Sequence, residues 1–149
     1  MTAIAIDDEP IALDVVRSHA AKVPFLDLQA TFTNAFEAMD YLQQHPIDLL
    51  FLDIKMPDIS GIEFFRSLSK KPMTIFTTAY SEHAVAGFEL DAVDYLLKPF
   101  SLARFLKACN KAQEWQQLPR ANGTKPGYLF VKTGYDQVRV DFEDIDYLE

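Results

Sequence analysis

Four apolar runs in this sequence end in residues equipped for chemistry. Ala3-Ile4-Ala5-Ile6 ends in Asp7-Asp8, Leu49-Leu50-Phe51-Leu52 in Asp53, the run from Met73 in Thr77-Thr78, and the run from Ala92 in Lys98. Carboxylates, a hydroxyl and an ammonium group gathered in one place suit a magnesium-dependent phosphoryl acceptor with Asp53 as nucleophile. A carboxylate that attacks phosphorus must approach an already anionic group. Magnesium relieves that repulsion, and it favours carboxylate and carbonyl oxygens together with retained waters. Asp7, Asp8 and Asp53 would supply the negative charge that holds the ion. Lys98 would pair with phosphoryl oxygens as a mobile point charge, and the hydroxyl of Thr78, rather than that of Thr77, would hydrogen-bond another. Such a transfer asks for positioning and charge stabilisation more than for elaborate covalent steps. Its product is an acyl phosphate on Asp53 that water later hydrolyses.

Taken singly, each residue has a plainer reading. Asp7-Asp8 suits a helix start, Asp53 and Thr78 close strands, and Lys98 is an ordinary solvated charge. What shifts the balance is that all four follow apolar runs, because in an open parallel sheet the strand ends meet along one carboxyl edge, where ligands bind. The run before Asp53 has no alternation and breaks at Pro57, the pattern of a strand buried on both faces.

The elements between these strands read as helices. Pro10 fits a first helical position, with a helix to about Lys22 and Ile11, Val15 and Ser18 on one stripe, Val16 and Ala20 beside it. Leu26 to Phe32 reads as a strand. Asn34 with Glu37 three residues on is an Asn version of the capping box, opening a helix with Phe36, Met39, Tyr41 and Leu42 as apolar contacts. Asp48 to Asp53 is a strand, and Ile62, Phe64, Phe65 and Leu68 belong to the helix after the Gly61 loop. Met73 to Thr78 is a strand, a helix starts at Ser81-Glu82, Ala92 to Leu97 is the fifth strand, and Ser101 caps a fifth helix through Phe105, Leu106 and Cys109 to about Gln117. Five such β-then-α units predict an α/β, flavodoxin-like, doubly wound five-stranded parallel sheet of order 2-1-3-4-5 with five helices. That order makes the strands carrying Asp7-Asp8 and Asp53 neighbours.

Residues 1–117 are thus one expected domain. Residues 118–127 have linker composition, and 128–149 carry a hairpin pattern around Gly134-Tyr135-Asp136. That last stretch is too short to bury a core of its own, so it is expected to begin a second domain or to pack on a partner chain. The formal charge of −8 disfavours nucleic-acid binding by this segment. No apolar run approaches the roughly 20 residues that span a bilayer, and the N-terminus lacks the form of a signal peptide. The single cysteine, Cys109, fits a reducing cytoplasm and a core position. His19, His45 and His83 lack metal-ligand spacing and read as surface or helix-packing residues.

Asp7-Asp8-Glu9, Asp53-Ile54-Lys55-Met56-Pro57 with Gly61, Thr78-Ala79 and Lys98-Pro99-Phe100 together resemble the receiver (CheY-like) domain of two-component response regulators, over roughly residues 2 to 117. The resemblance implies phosphorylation of Asp53 by a sensor histidine kinase and autocatalysed phosphotransfer and slow dephosphorylation rather than enzyme turnover. It implies a magnesium site of Asp8 directly, Asp7 partly through water, Asp53, and the backbone carbonyl of Lys55. It also implies that Thr78 and Tyr95 form a switch pair, and that the Lys98-Pro99 bond is cis. The stretch from Thr78 to Pro99 looks like the LytTR subclass, and residues 129–149 are similar to the opening of its DNA-binding domain. That subclass implies a homodimer through the face of the fourth helix, fifth strand and fifth helix, with transcriptional output through DNA contacts outside this sequence.

Two other readings compete. A magnesium phosphohydrolase with an aspartyl nucleophile commonly carries a second acid two residues on, where this sequence has Lys55. An interaction module that never takes phosphate would leave the acids as surface charge, without magnesium binding.

Overall fold

A computed structural model of the chain describes residues 1–79 and 91–118. The chain divides into two units after Gln113. Of the second unit, only the end of the last helix lies among the described residues. The expected helix at Ser81, the linker and the hairpin lie outside them, as does His83.

Strands β1 (Thr2–Ile6), β2 (Asp27–Phe32), β3 (Leu49–Asp53), β4 (Met73–Thr78) and β5 (Asp94–Leu97) form one sheet. All pairings are parallel and the order is β2-β1-β3-β4-β5. Helices α1 (Pro10–Ala20), α2 (Ala35–Gln44), α3 (Gly61–Ser67) and α4 (Leu102–Gln117) accompany it; α4 is the helix that the sequence places fifth. The doubly wound flavodoxin-like architecture is therefore as expected.

Local chemistry sets the helix starts. Pro10 sits in the first turn of α1, where its missing N–H costs nothing. Asn34 accepts from the amides of Phe36 and Glu37 at 2.8 and 3.2 Å. Ser60 and Glu63 form a reciprocal capping box at α3. The Ser101 hydroxyl accepts from the Arg104 amide at 3.1 Å.

Every residue of β3 is buried, because both sheet faces are covered. On one face Ile4, Leu50, Leu52 and Phe76 pack with Ala38 of α2 and Phe64 and Phe65 of α3. On the other, the Phe51 ring stacks on Phe105 of α4 with centroids 5.1 Å apart. His19 of α1 lies 5.4 Å from that same Phe105 ring, so α1 and α4 share this face. Cys109 is buried there, and burial pushes its thiol up to about 12.

Two helix faces differ in part from expectation. In α1 the buried residues are Leu13, Val16 and Ala20, while Ile11 is 78% exposed and Val15 38%. The helix carries two apolar stripes, and the spacing 13, 16, 20 is the one turned to the sheet. In α2 Met39, Tyr41 and Leu42 pack against the core as expected, but Ala35 and Ala38 are the fully inward residues and Phe36 is exposed. Leu106 of α4 is exposed while Phe105, Ala108, Cys109 and Ala112 are buried. Element ends shift slightly: α1 stops at Ala20, and β5 begins at Asp94 although the Val93 amide still bonds to Thr74 of β4 at 2.8 Å.

Candidate functional site

β1 and β3 are adjacent, with Ile6 opposite Leu52. The next residue on each strand is an aspartate, so Asp7 and Asp53 emerge side by side at the carboxyl edge, both buried. Asp8, one residue on, is exposed. Asp7, Asp8 and Asp53 each offer a carboxylate oxygen, and these oxygens all lie within 4.8 Å of one another. Three hard oxygen ligands at such spacing are a donor set fitted to magnesium or calcium.

Lys98 joins them from the end of β5. Its Nζ donates to Asp7 Oδ2 at 2.7 Å and to Asp53 Oδ1 at 3.3 Å. The second Asp7 oxygen accepts from the Glu9 amide at 3.0 Å, which orients the carboxylate toward the site. Burial, and then the charge of Asp7, push the Asp53 carboxyl up to about 7, against the opposing pull of Lys98. Burial works against the Lys98 charge, but its bond to Asp7 and the charges of Asp53 and Asp7 outweigh that and hold its pKa above the ordinary lysine value.

Thr77 and Thr78 are both buried. Thr77 stands opposite Asp53 in the ladder and lines a groove with α1, so Thr78, next along β4, turns to the other sheet face. Phe76, two residues earlier, shares that face. It is paired with Tyr95, and the two rings stack at 5.5 Å. Thr78 and Tyr95 are thus on one face of adjacent strands. Burial, and then the Asp94 charge, raise the Tyr95 phenol above its usual range. The Lys98 amide donates to Thr78 O at 2.7 Å, tying the end of β5 to β4. The Lys98-Pro99 bond is cis. Lys55 is exposed just past Asp53.

The family model of the response regulator receiver domain matches residues 3–110. The chain belongs to that family. An uncharacterized response regulatory protein of Vibrio cholerae is 43% identical over 127 residues, 80% of this chain and 46% of that protein. The transcriptional regulatory protein YpdB of Escherichia coli is 32% identical over 132 residues, 83% of this chain and 52% of YpdB. The chain therefore spans about half the length of these relatives. Among solved structures, the response regulatory domain of MrkE from Klebsiella pneumoniae superposes with a TM-score of 0.71 at 30% identity, covering 79% of this chain and all of that one. The described residues thus form a response-regulator receiver domain, and receiver domains bind magnesium at an acidic pocket of this kind. Among them, no helix is long and apolar enough to cross a membrane.

Sequence reasoning passed over three features of this receiver. Gly61 closes on the site from α3: a Cβ there would fall 2.2 Å from the Asp53 carbonyl oxygen, and the Gly61 amide donates to Ile54 O at 2.7 Å. Gly61 had appeared only as a member of the motif. Asp94, buried at the start of β5, accepts both Arg104 Nη atoms at 2.8 Å, with Lys111 Nζ at 3.5 Å. Arg104 also donates to Tyr95 O at 3.0 Å. Burial would raise the Asp94 carboxyl, but Lys111 and Arg104 outweigh it and hold it below the usual carboxylate range. The third is His19, whose Nε2 lies 3.2 Å from Phe100 O. No local sequence signal marks these pairings, since the partners meet only through the fold.

Proposed function

We propose that this receiver is a phosphorylation switch in which Asp53 accepts a phosphoryl group from a sensor histidine kinase. The observation that carries the reading is the convergence of the Asp7, Asp8 and Asp53 carboxylates within 4.8 Å, with the Lys98 ammonium set between Asp7 and Asp53. Magnesium, held by Asp7, Asp8, Asp53 and the Lys55 carbonyl, would screen the charge between nucleophile and phosphoryl group. An Asp53 oxygen attacks phosphorus as the bond from phosphorus to the donor's imidazole nitrogen breaks, and the imidazole leaves. Lys98 and the Thr78 hydroxyl bind the phosphoryl oxygens. Water later cleaves the acyl phosphate.

A protein donor is supported by the surface beside the site. A groove of about 890 Å³ runs from Asp8 along α1 to Pro99 and Phe100, with exposed Ile11 and Val15 on its wall. Apolar side chains bordering an acidic site suit a partner that brings both an apolar helix and a reactive group.

Phosphorylation shifts the population of Thr78 and Tyr95 arrangements. The new state pairs two receivers through the face that includes β5 and α4, where Leu97 and Leu106 are exposed. We read residues 1–117 as the receiver, 118–127 as linker and 128–149 as the opening of a LytTR-type DNA-binding domain, which makes the output transcriptional and the setting cytoplasmic. The name of the YpdB relative is consistent with that output.

Intact mass after incubation with acetyl phosphate, with and without magnesium, tests the reading. The expected result is a magnesium-dependent gain of one phosphoryl group that Asp53→Ala abolishes. Lack of any gain together with lack of magnesium binding would leave an interaction module. Sustained turnover of a phosphate monoester would favour a phosphohydrolase.

A further inference from the structure

We propose that His19 is a positioning residue for phosphotransfer at Asp53, pinning the Lys98-Pro99-Phe100 turn to α1 so that the Lys98 ammonium stays between Asp7 and Asp53. The inference rests on the phosphoacceptor reading above and names a residue outside the family motif.

The Phe100 carbonyl only accepts, so the His19 Nε2 that lies 3.2 Å from it carries the proton and donates. The imidazole sits against two aromatic rings, Phe100 with centroids 5.9 Å apart and Phe105 at 5.4 Å. Its Nδ1 is buried and has no hydrogen-bond partner among the described residues. In the tautomer that the carbonyl selects, Nδ1 keeps a lone pair with nothing to accept, which is unfavourable in a dry setting. A leucine would fill the same space without that unpaired atom. Packing alone therefore does not account for an imidazole here, whereas its one directed bond does.

That bond closes a circuit. Asp7 leads through Glu9 into α1, and α1 carries His19 to Phe100. Phe100 is two residues from Lys98, and Lys98 returns to Asp7 at 2.7 Å. The turn is held at its first residue by β4, through Lys98 N to Thr78 O at 2.7 Å, and at its third by His19. Lysine is a point charge on a flexible stem, so where its ammonium rests depends on how firmly its backbone is held. Releasing the Phe100 end would let the ammonium drift from the phosphoryl position.

The test compares wild type, His19→Leu and His19→Gln as the full chain, with acetyl phosphate and saturating magnesium, well below the lowest melting temperature. Both the maximal phosphorylation rate constant and the half-saturating donor concentration are measured. His19→Leu is expected to lower the maximal rate constant roughly tenfold, the scale of a small misplacement of a catalytic group, with half-saturation little changed. His19→Gln, whose amide N–H reaches the Phe100 carbonyl, is expected to recover most of the rate. A packing role predicts the reverse order, with leucine equal to wild type and glutamine impaired. Leucine matching wild type, or glutamine no better than leucine, overturns the inference while wild-type phosphorylation stands. A wild type that takes no phosphoryl group overturns the phosphoacceptor reading, and this inference with it. Should His19→Leu fail to fold, His19→Met is read in the same way.

Discussion

A side chain of any kind on residue 61 would place its Cβ 2.2 Å from the carbonyl oxygen of Asp53. No contact of that length survives, so either α3 retreats or the end of β3 moves. The same β3 end carries Asp53, the proposed nucleophile, which makes this glycine a determinant of where its carboxylate sits. Gly61→Ala should cost about 1–3 kcal/mol, as overpacking of a tight site does. It should also slow acetyl phosphate labelling, because the Asp53 carboxylate is displaced although its chemistry is unchanged. Chemical denaturation and mass-spectrometric labelling measure the two effects. A variant as stable and as fast as wild type would mean that α3 shifts freely.

Asp53 gives a pH dependence whose sign follows from its raised pKa of about 7. The folded state holds this proton up to about pH 7, whereas the unfolded chain releases it near 3.8. Between those values the folded state binds more protons, so this group's stabilisation is full below about pH 4 and fades as pH rises through 7. Asp53→Asn should therefore gain stability over wild type by roughly 2–4 kcal/mol at pH 8, and by less at pH 5. Urea unfolding at both values in chelator-treated buffer checks this. Equal differences at the two pH values would contradict it.

Removal of the divalent ion should separate wild type from the same variant. An ion that binds only the folded site stabilises by mass action, about 2.7 kcal/mol at a hundredfold excess over its dissociation constant. Magnesium should raise the melting temperature of wild type and do markedly less for Asp53→Asn. EDTA should abolish the difference that magnesium makes. A rise of equal size in both proteins would place the ion elsewhere.

The Asp94–Arg104 pair should be asymmetric in its cost. Arg104→Leu leaves the buried Asp94 carboxylate with Lys111 at 3.5 Å and the Tyr95 amide at 2.8 Å among the described residues, and should destabilise by about 1–3 kcal/mol. Asp94→Asn keeps an acceptor for Arg104 and should cost less. The Asp94 carboxyl is held below 3.8 in the folded state, so its contribution is present above that value and is lost as pH falls further. Denaturant midpoints at pH 7 and pH 3 for both variants measure this. Equal costs at pH 7 would contradict the asymmetry.

The sheet order and the meeting of Asp7, Asp8, Asp53 and Lys98 were legible because each residue ends an apolar run, and parallel strands bring their ends to one edge. The inward face of α1 was less legible, because Ile11 and Val15 offer a stripe as apolar as Leu13, Val16 and Ala20. Periodicity identifies an amphipathic helix but does not choose between two such stripes. His19 and Phe100 stand 81 residues apart and Asp94 and Arg104 stand 10 apart. Neither pairing leaves a periodic trace, since both exist only once β5 and α4 pack beside α1 and the sheet. Gly61 was visible as a letter, but the reason for it is a backbone approach that only coordinates reveal.

Lys98, bonded to both Asp7 and Asp53, also sets the electroneutrality of the cleft. With all three acids ionised, one ammonium leaves two negative charges uncompensated, which a single divalent cation cancels. The proposed acyl phosphate on Asp53 would replace one carboxylate charge by two on the phosphoryl oxygens, so the cleft would become anionic again with the cation still in it. The ion would then be bound more tightly in the modified protein than in the resting one, and by reciprocity it would make the modified form more favourable. On the proposed function, the free magnesium concentration would thereby act as a thermodynamic bias on the switch, through a lysine that touches the two buried acids.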